Sequence, residues 1–111
     1  MDKLDSYRQI VQEIITEYAS YGAQNPEIEQ ELICDIQRDR YLLLDLGWDN
    51  KHRVYNCFIH MEIKDEKIWI QRNMTDVDFA EELVEMGVPR TDIVLGFHSP
   101  FKRQFTEYAV S

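Results

Sequence analysis

The stretch "YLLLDLGWDNKHRVYNCFIHMEIKDEKIWIQR", residues 41–72, decides the fold because it holds three β-rich runs separated by two short polar links. The runs cover residues 41–48, 54–63 and 67–72. The links, residues 49–51 and 64–66, favour antiparallel hairpins, since a parallel crossover needs about a dozen residues or more. The stretch therefore predicts three consecutive strands of an antiparallel meander.

Apolar side chains fall on both faces of this predicted sheet. Strict alternation along the second run places one set of residues on a single face, namely Tyr55, Cys57, Ile59, Met61 and Ile63. Phe58 falls on the opposite face, and Trp69 is likewise opposed to Ile68 and Ile70. A sheet with one solvated face alternates more cleanly than this. We therefore expect a helix of this chain, or another chain, to cover part of the second face.

Upstream of the meander, the sequence predicts a helix and a further strand. Residues 2–21 carry apolar side chains at spacings of three and four, which is typical of an amphipathic helix, and Gly22 is a typical stop. After Gly22, apolar residues alternate with acids, which indicates a half-exposed strand. The alternating residues are Ile28, Leu32, Cys34 and Ile36.

Downstream of the meander, the sequence predicts an acidic helix. Thr75 is a candidate N-cap, and Asp76 and Asp78 suit the positive end of the helix dipole. Gly87 lies where a left-handed C-cap is expected, and Pro89 prevents continuation of the helix. The acids on its outward face are Asp76, Asp78, Glu81, Glu82 and Glu85. A charge run of this kind is typical of a solvated helix face.

The C-terminal segment leaves two conformations open. Residues 93–95 predict a short buried segment that is either extended or a tight turn. Ser99 as a cap and Pro100 at the first helical position predict a short helix. Three aromatic residues beyond it are spaced to share one helical face, namely Phe101, Phe105 and Tyr108. Residues 105–110 are equally compatible with an extended conformation.

These elements together indicate one α+β domain over residues 1–111. It has an N-terminal helix, an antiparallel meander of about four strands, an acidic helix, and a short C-terminal helix or extended segment. A hydrophobic content of 44% suffices for a core. No apolar run approaches the roughly 18 residues of a membrane span. The start, Met-Asp-Lys-Leu-Asp, lacks the layout of a secretory signal, so we expect a cytoplasmic protein.

The charge balance argues against nucleic acids and anionic membranes as partners. Acids outnumber bases 21 to 12, giving a formal charge of −9, whereas nucleic-acid binding usually rests on Lys and Arg that neutralise phosphates. The best candidates for a local basic patch are Arg38 with Arg40, and Lys102 with Arg103. Both clusters are short, and surface solvation explains them. Direct nucleic-acid binding is therefore an alternative hypothesis only.

The cysteines and histidines predict no metal, disulfide or cofactor site. Cys34 and Cys57 belong to no CxxC pair, so we expect both to be reduced, buried and apolar in role. A zinc site usually needs at least about three protein ligands, and His60-x-Glu62 supplies two. The sequence also lacks a P-loop, a dinucleotide fingerprint and a Gly-x-Ser-x-Gly element. We expect no catalytic residue, no metal and no cofactor.

One enzymatic alternative is a metal-dependent nuclease. Glu62-Ile63-Lys64 has the Glu-x-Lys form that such enzymes place on a strand, and Asp45 or Asp49 is the candidate second carboxylate. Two acids would hold magnesium, and the lysine would position or activate the water. A motif this short arises by chance in any charged hairpin. The non-enzymatic interpretation is therefore preferred.

A surplus of large aromatic side chains predicts a protein-binding surface. Trp and Tyr are favoured interface anchors, and a small domain has a limited interior in which to bury them. The candidate partner-interface residues are Trp69, Phe97, Phe101, Phe105 and Tyr108. The competing interpretation places all of them in the core of the monomer. We expect the chain to form a homo-oligomer or to bind a partner protein through some of them.

Four stretches carry a family resemblance, and together they span nearly the whole chain in order. They are "YRQIVQEIITEYASY" (7–21), "RDRYLLLDLGWDNKHRVYNCFIHMEIKDEKIWIQRNMTD" (38–76), "AEELVEMGVPRTDIVLGFHSP" (80–100) and "RQFTEYAV" (103–110). The most specific parts are "KIWIQ" and "GVP..DIVLGF..P". The chain thereby resembles the XisI-like family, named for the fdxN element excision controlling factor of filamentous nitrogen-fixing cyanobacteria.

The resemblance implies a small α+β domain that takes part in a programmed DNA rearrangement linked to heterocyst differentiation. In that system a site-specific recombinase excises an element from the chromosome. The resemblance implies a non-enzymatic accessory role beside a companion, XisH, whose family looks nuclease-like. It brings no catalytic residues onto this chain. An acidic surface of this kind would suit the basic face of a DNA-handling partner.

Overall fold

A computed structural model describes residues 2–23 and 25–111 and confirms the α+β class. The elements are α1 (Lys3–Ser20), β1 (Ile28–Asp35), β2 (Arg40–Asp49), β3 (His52–Lys64), β4 (Lys67–Asn73), α2 (Phe79–Glu85), a 3-10 turn (Arg90–Asp92), β5 (Ile93–Leu95) and α3 (Pro100–Arg103). The sheet has the strand order β1-β2-β3-β4-β5. Strands β1 to β4 form the predicted antiparallel meander, and β5 joins β4 in parallel.

Helices α1 and α2 lie on one face of the sheet, here called the helix side, and enclose the core against it. Helix α1 buries the predicted apolar stripe, namely Tyr7, Val11, Ile14 and Ile15. Each such side chain stabilises the fold by about 1.5–3 kcal/mol when it leaves water. Asp2 caps α1 by accepting a hydrogen bond from the backbone N–H of Leu4 at 3.2 Å. No helix within the described ranges has the length and apolar character needed to cross a bilayer.

A β-bulge at Phe58 changes which residues of β3 face the core. Phe58 is an extra residue on β3, because Cys57 and Ile59 pair with consecutive residues of β2. An extra residue reverses the alternation of side chains along a strand. Phe58 is therefore on the helix side and 8% exposed, whereas Tyr55 is on the other side and 68% exposed. The prediction that Tyr55 and Cys57 share a face with Ile59 and the residues after it is wrong.

Helix α2 begins later than the sequence predicted. Asp78 is the N-cap, and its carboxylate accepts a hydrogen bond from the backbone N–H of Glu81 at 3.2 Å. Thr75 instead forms a local turn, in which its hydroxyl donates to Asn73 Oδ1 at 2.6 Å and accepts from a backbone N–H two residues later. The helix ends as predicted, with Gly87 at φ +104°.

The two cysteines are free thiols, but the prediction that both are buried is wrong. Cys34 is exposed and Cys57 is half-buried. Cys34 lies on β1, which is an edge strand and has a neighbour on one side only. Alternation predicts which face of a strand a residue occupies, but another element must pack there for the residue to be buried. Partial burial still raises the pKa of both thiols, so they are protonated at neutral pH.

The C-terminal segment is helical only at its start. Residues 93–95 form β5, which is the extended one of the two predicted conformations. Ser99 caps α3 as predicted. Helix α3 is too short to reach Tyr108, so the predicted shared helical face does not form. The rings of Phe101 and Phe105 do pack edge to face, with centroids 5.3 Å apart.

Asp92, in the 3-10 turn, ties this turn to the start of α1. Its carboxylate accepts a hydrogen bond from the Tyr7 hydroxyl and pairs with Lys3 Nζ at 3.0 Å. Burial alone would raise the pKa of this carboxyl, but the bonds from Tyr7 and Lys3 hold it below its usual value of 3.8. The carboxylate therefore stabilises the fold above the unfolded-state pKa. That stability is lost as the pH falls through the folded-state pKa.

We expect Asp92→Asn to lower the free energy of unfolding at neutral pH by about 1–2 kcal/mol and to flatten its decline in acid. Urea unfolding at a series of pH values measures both effects. Asp49→Asn, at the exposed end of β2, is the matched control and should change neither. Identical acid profiles for Asp92→Asn and the unsubstituted chain would contradict this account.

Candidate protein-docking face

The sheet has a second face, turned away from α1 and α2, and the C-terminal segment covers one end of it. Trp69 of β4 and Val94 of β5 lie there and are 8% and 0% exposed. The guanidinium carbon of Arg103, in α3, lies 5.4 Å from the centroid of a Trp69 ring. Arg103 also donates hydrogen bonds to the backbone carbonyls of Leu95 and His98. A helix of this chain, one of the two predicted covers, therefore covers part of the second face.

Beyond this covered end, apolar side chains from three strands lie together on the second face. Alternate residues of β2 from Leu42 to Trp48 point to this side, because Leu43 is fully buried on the helix side. Ile33 of β1 and Tyr55 of β3 are paired with leucines of β2 and extend the patch on either side. We call this surface the open face, and it consists of Ile33, Leu42, Leu44, Leu46, Trp48 and Tyr55.

The open face is exposed to solvent. Ile33, Trp48 and Tyr55 are 41%, 52% and 68% exposed, and the three leucines between them are half-buried. Single exposed apolar residues are common on protein surfaces, but contiguous patches mark interaction sites. The open face is therefore the strongest candidate for a functional surface in the described part of the chain.

Charged residues border the open face. Glu29 and Glu31 of β1 are exposed and point to the same side, since their partners in the sheet are Leu46 and Leu44. Arg53 lies over the ring of Trp48, with its guanidinium carbon 5.7 Å from the ring centroid. The β1 border is thus acidic, which matches the net charge of −9.

The five candidate interface residues divide into two groups in the structure. Phe97, Phe101 and Phe105 are 50%, 68% and 74% exposed. Trp69 is enclosed beneath Arg103, as described above. Tyr108 is half-buried, and its hydroxyl donates to Glu81 Oε1 at 2.8 Å. Burial, and then the bond to Glu81, raises the pKa of Tyr108 to about 12. The three phenylalanines are free for contact, whereas Trp69 and Tyr108 hold the C-terminal segment in place.

The leucines of the open face were not predicted as an interface, although the sequence carries a signal for them. Residues 41–48 are apolar at nearly every position, so a strand there must present apolar groups on both faces. Tyr55 was assigned to the wrong face because of the bulge at Phe58. The pattern indicated a second apolar face, but it did not show which part of that face the chain itself would cover.

The structure separates the carboxylates of the nuclease alternative. Asp45 lies on the helix side and Glu62 on the second face. Asp49 lies at one end of β2, and Glu62 is paired with Arg40 at the other end. A two-carboxylate metal site needs both oxygens near one ion. The predicted pairs of Glu62 with Asp45 or Asp49 therefore do not form.

The remaining groups of that motif have structural partners. The Lys64 ammonium lies 4.2 Å from the centroid of a Trp69 ring. Glu62 accepts a hydrogen bond from Gln71 Nε2 at 3.4 Å, and His60 Nε2 lies 2.9 Å from its other oxygen without hydrogen-bond alignment. No cluster of three or more His, Cys, Asp and Glu side chains suited to a metal occurs within residues 2–23 and 25–111.

The arginines of the candidate basic patches are also engaged within the chain. Arg38 pairs with Asp35 at 3.0 Å, and Arg40 lies 3.4 Å from Glu62. The guanidinium of Arg103 donates hydrogen bonds to backbone carbonyls and packs on a Trp69 ring. These cations are therefore less available to phosphates than their spacing in the sequence suggests.

Part of the acidic face of α2 is also used internally. Glu81 accepts hydrogen bonds from Arg90 and Tyr108, and these bonds, Arg90 first, hold the pKa of Glu81 below its usual range. Burial, followed by neighbouring carboxylates, raises the pKa of Glu82. Glu85 is exposed. Glu81 therefore anchors the C-terminal segment and is not a free surface charge.

Comparison with known proteins places this fold among described relatives. A family model described as XisI protein matches residues 1–110. The chain is similar to the crystal structure of a XisI-like protein from Anabaena variabilis, with a TM-score of 0.93, 48% identity, and coverage of 97% of this chain and 99% of that one. It is also similar to the crystal structure of the fdxN element excision controlling factor XisI from the same organism, with a TM-score of 0.90, 43% identity, and coverage of 99% and 100%. No curated protein matches.

The family model and both crystal structures agree over nearly the full length, and they confirm the resemblance found in the four sequence stretches. Because the matches cover nearly whole chains, they include the sheet and the helices that pack on it. The chain belongs to the XisI family.

Proposed function

We propose that this chain is a non-catalytic accessory protein of programmed DNA excision, and that it acts by holding a companion protein against the open face. The observation that carries the proposal is the contiguous apolar patch across β1, β2 and β3. Family membership supplies the setting, since one relative is the fdxN element excision controlling factor. The separation of Glu62 from Asp45 and Asp49 favours an accessory role over the nuclease alternative.

Charge favours a companion over a second copy as the occupant of the open face. Two copies would each bring a net charge of −9 and an acidic β1 border, and like charges at an interface oppose association. A DNA-handling companion with a basic rim would instead be attracted by Glu29 and Glu31. The family resemblance implies an XisH-like protein in this position. The predicted homo-oligomer is the competing occupant of the same face.

Substitution in the open face should weaken the complex. We expect Leu44→Asp combined with Tyr55→Ser to reduce affinity for a purified XisH-like companion by at least about tenfold, because an unpaired carboxylate would be buried in an apolar contact. Isothermal titration calorimetry measures the affinity. Both side chains point away from the core, so the thermal midpoint should stay close to that of the unsubstituted chain.

The matched control is Phe101→Ser combined with Phe105→Ser, which removes two exposed aromatic rings outside the open face. If the open-face variant keeps full affinity and the phenylalanine variant loses affinity, the docking site lies on the C-terminal segment instead. A dimer seen by light scattering that dissociates only in the open-face variant would assign the face to a second copy. An unchanged association rate in Glu29→Lys combined with Glu31→Lys would show that these acids do not attract the companion.

A further inference from the structure

On the helix side of the sheet, away from the open face, a cleft of about 580 Å³ lies between the end of α1 and strands β1 to β3. Its walls include three aromatic rings, namely Tyr18, Tyr21 and Phe58. Tyr18 is 6.2 Å from each of the other two rings, measured between centroids. A concave site of this size with aromatic walls is typical of a small-molecule or side-chain pocket. The proposed docking role does not use it.

The floor of the cleft is a row of polar side chains on three adjacent strands. Gln30, Asp45 and Asn56 are paired with one another across β1, β2 and β3. They interrupt a face that is apolar further along the same strands, where Leu43 and Ile59 are fully buried. Polar groups on a core-facing surface destabilise the fold unless they find partners. The row is therefore a polar floor set into an otherwise apolar face, and its three side chains are half-buried.

Two acceptor atoms in this row are unmatched. Gln30 Oε1 and Asp45 Oδ1 are buried and have no hydrogen-bond partner among residues 2–23 and 25–111. The described residues that line the cleft include no lysine or arginine to neutralise the Asp45 carboxylate. The floor of the cleft thus holds a carboxylate with no cation among the described lining residues, together with two unpaired acceptor atoms that are covered from solvent.

We propose that this cleft binds a guanidinium group, carried by free arginine, by a related small molecule or by the arginine side chain of a peptide. A guanidinium is planar and positively charged, and its N–H donors can reach two acceptors at once. Its flat faces stack on aromatic rings such as Tyr18 and Phe58. A phosphate-bearing ligand suits the cleft poorly, because the described lining is acidic and would repel it.

The test is a titration of the full-length isotope-labelled chain, followed by amide NMR shifts. Citrulline is the matched probe, because its neutral ureido group has nearly the shape of a guanidinium. We expect arginine to shift the amides of Gln30, Asp45 and Asn56 and to bind at least about tenfold more tightly than citrulline, since charge-assisted hydrogen bonds are the stronger ones. Equal affinities for the two probes would overturn the proposal.

Asp45→Asn removes the charge and keeps the size of the side chain. It should weaken arginine binding by at least about tenfold and leave the thermal midpoint unchanged or higher, because it removes a half-buried carboxylate that has no cation beside it in the described lining. Asp49→Asn, on the same strand but exposed at its end, should leave arginine binding unchanged. Unchanged binding in a folded Asp45→Asn would overturn the proposal. If that variant does not fold, the comparison of arginine with citrulline on the unsubstituted chain decides.

Two probes distinguish the possible sources of the guanidinium, namely a peptide and a free small molecule. Tighter binding of a Gly-Arg-Gly peptide than of free arginine would assign the cleft to a segment of another protein, and the reverse order would assign it to a small molecule. No amide shift with any probe up to about 10 mM would mean that the cleft holds only solvent, which would overturn the proposal.

Discussion

Phe79→Ala should lower the free energy of unfolding by about 3–5 kcal/mol, the cost of deleting a large buried aromatic ring. Phe79 is the first residue of α2 and is 1% exposed. Its ring packs edge to face on Tyr18 of α1, with centroids 5.8 Å apart. The substitution therefore leaves a cavity where α2 contacts α1. For a domain whose total stability is about 5–15 kcal/mol, this loss is severe. Urea unfolding followed by tryptophan fluorescence measures it.

The matched control for Phe79→Ala is Phe101→Ala. The same chemical change is made there at a ring that is 68% exposed, so the expected loss is within about 0.5 kcal/mol. The comparison isolates burial, since both residues lie in the first turn of a short helix and both rings pack on another aromatic ring. Similar losses at the two positions would contradict the assignment of Phe79 to the core.

Gly47→Ala should cost about 3 kcal/mol, because both the backbone conformation and the space at this position require glycine. Gly47 has φ +151°, which side-chain-bearing residues rarely adopt. A Cβ atom placed there would lie 2.5 Å from the carbonyl oxygen of Glu27 and 3.2 Å from Ile28 Cα. The paired backbones of β1 and β2 would have to separate at this point. Thermal unfolding gives the loss, and hydrogen exchange should show opening at the start of β1.

The matched control for Gly47→Ala is Gly22→Ala. Gly22 also has a positive φ, +74°, but an added Cβ would meet no described atom within 4 Å. Its expected cost is about 1 kcal/mol, from the left-handed conformation alone. The difference between the two variants measures the close approach of β1 to Gly47 together with the less favourable φ at that position. Equal costs would show that backbone conformation alone, and not the approach of Glu27, accounts for the effect.

Most of the fold could be predicted because its signals are local. The stripe of α1 is a matter of spacing along the chain, and the short links of residues 49–51 and 64–66 leave no room for a parallel crossover. Gly87 stops α2 for a local steric reason. Thr75 misled the prediction because two candidate caps, Thr75 and Asp78, lie close together. Asn73 forms hydrogen bonds with the Thr75 hydroxyl and with the Val77 carbonyl, and these bonds hold Thr75 in a turn. Asp78 is therefore the residue that caps the helix.

The candidate site was predicted less well, because exposure is decided by what packs on a surface. Apolar residues on both faces of the meander indicated that one face needs a cover. Their pattern does not show that α3 would cover Trp69 and leave Leu44 and Tyr55 open. The polar row in the cleft was also missed. Gln30, Asp45 and Asn56 are distant in sequence and become neighbours only through strand register.

The amino-acid sequence by itself determined the helix stripe, the order of β1 to β4, the helix end at Gly87, the cap at Ser99 and the acidic charge, since each depends on residues close together in the chain. Tertiary structure alone decided the bulge at Phe58, the burial of Trp69 and the enclosure of Tyr108 by Glu81 and Arg90. The physical reason is that a bulge is set by pairing with the neighbouring strand. Similarly, the exposure of a side chain depends on contacts with residues far away in sequence.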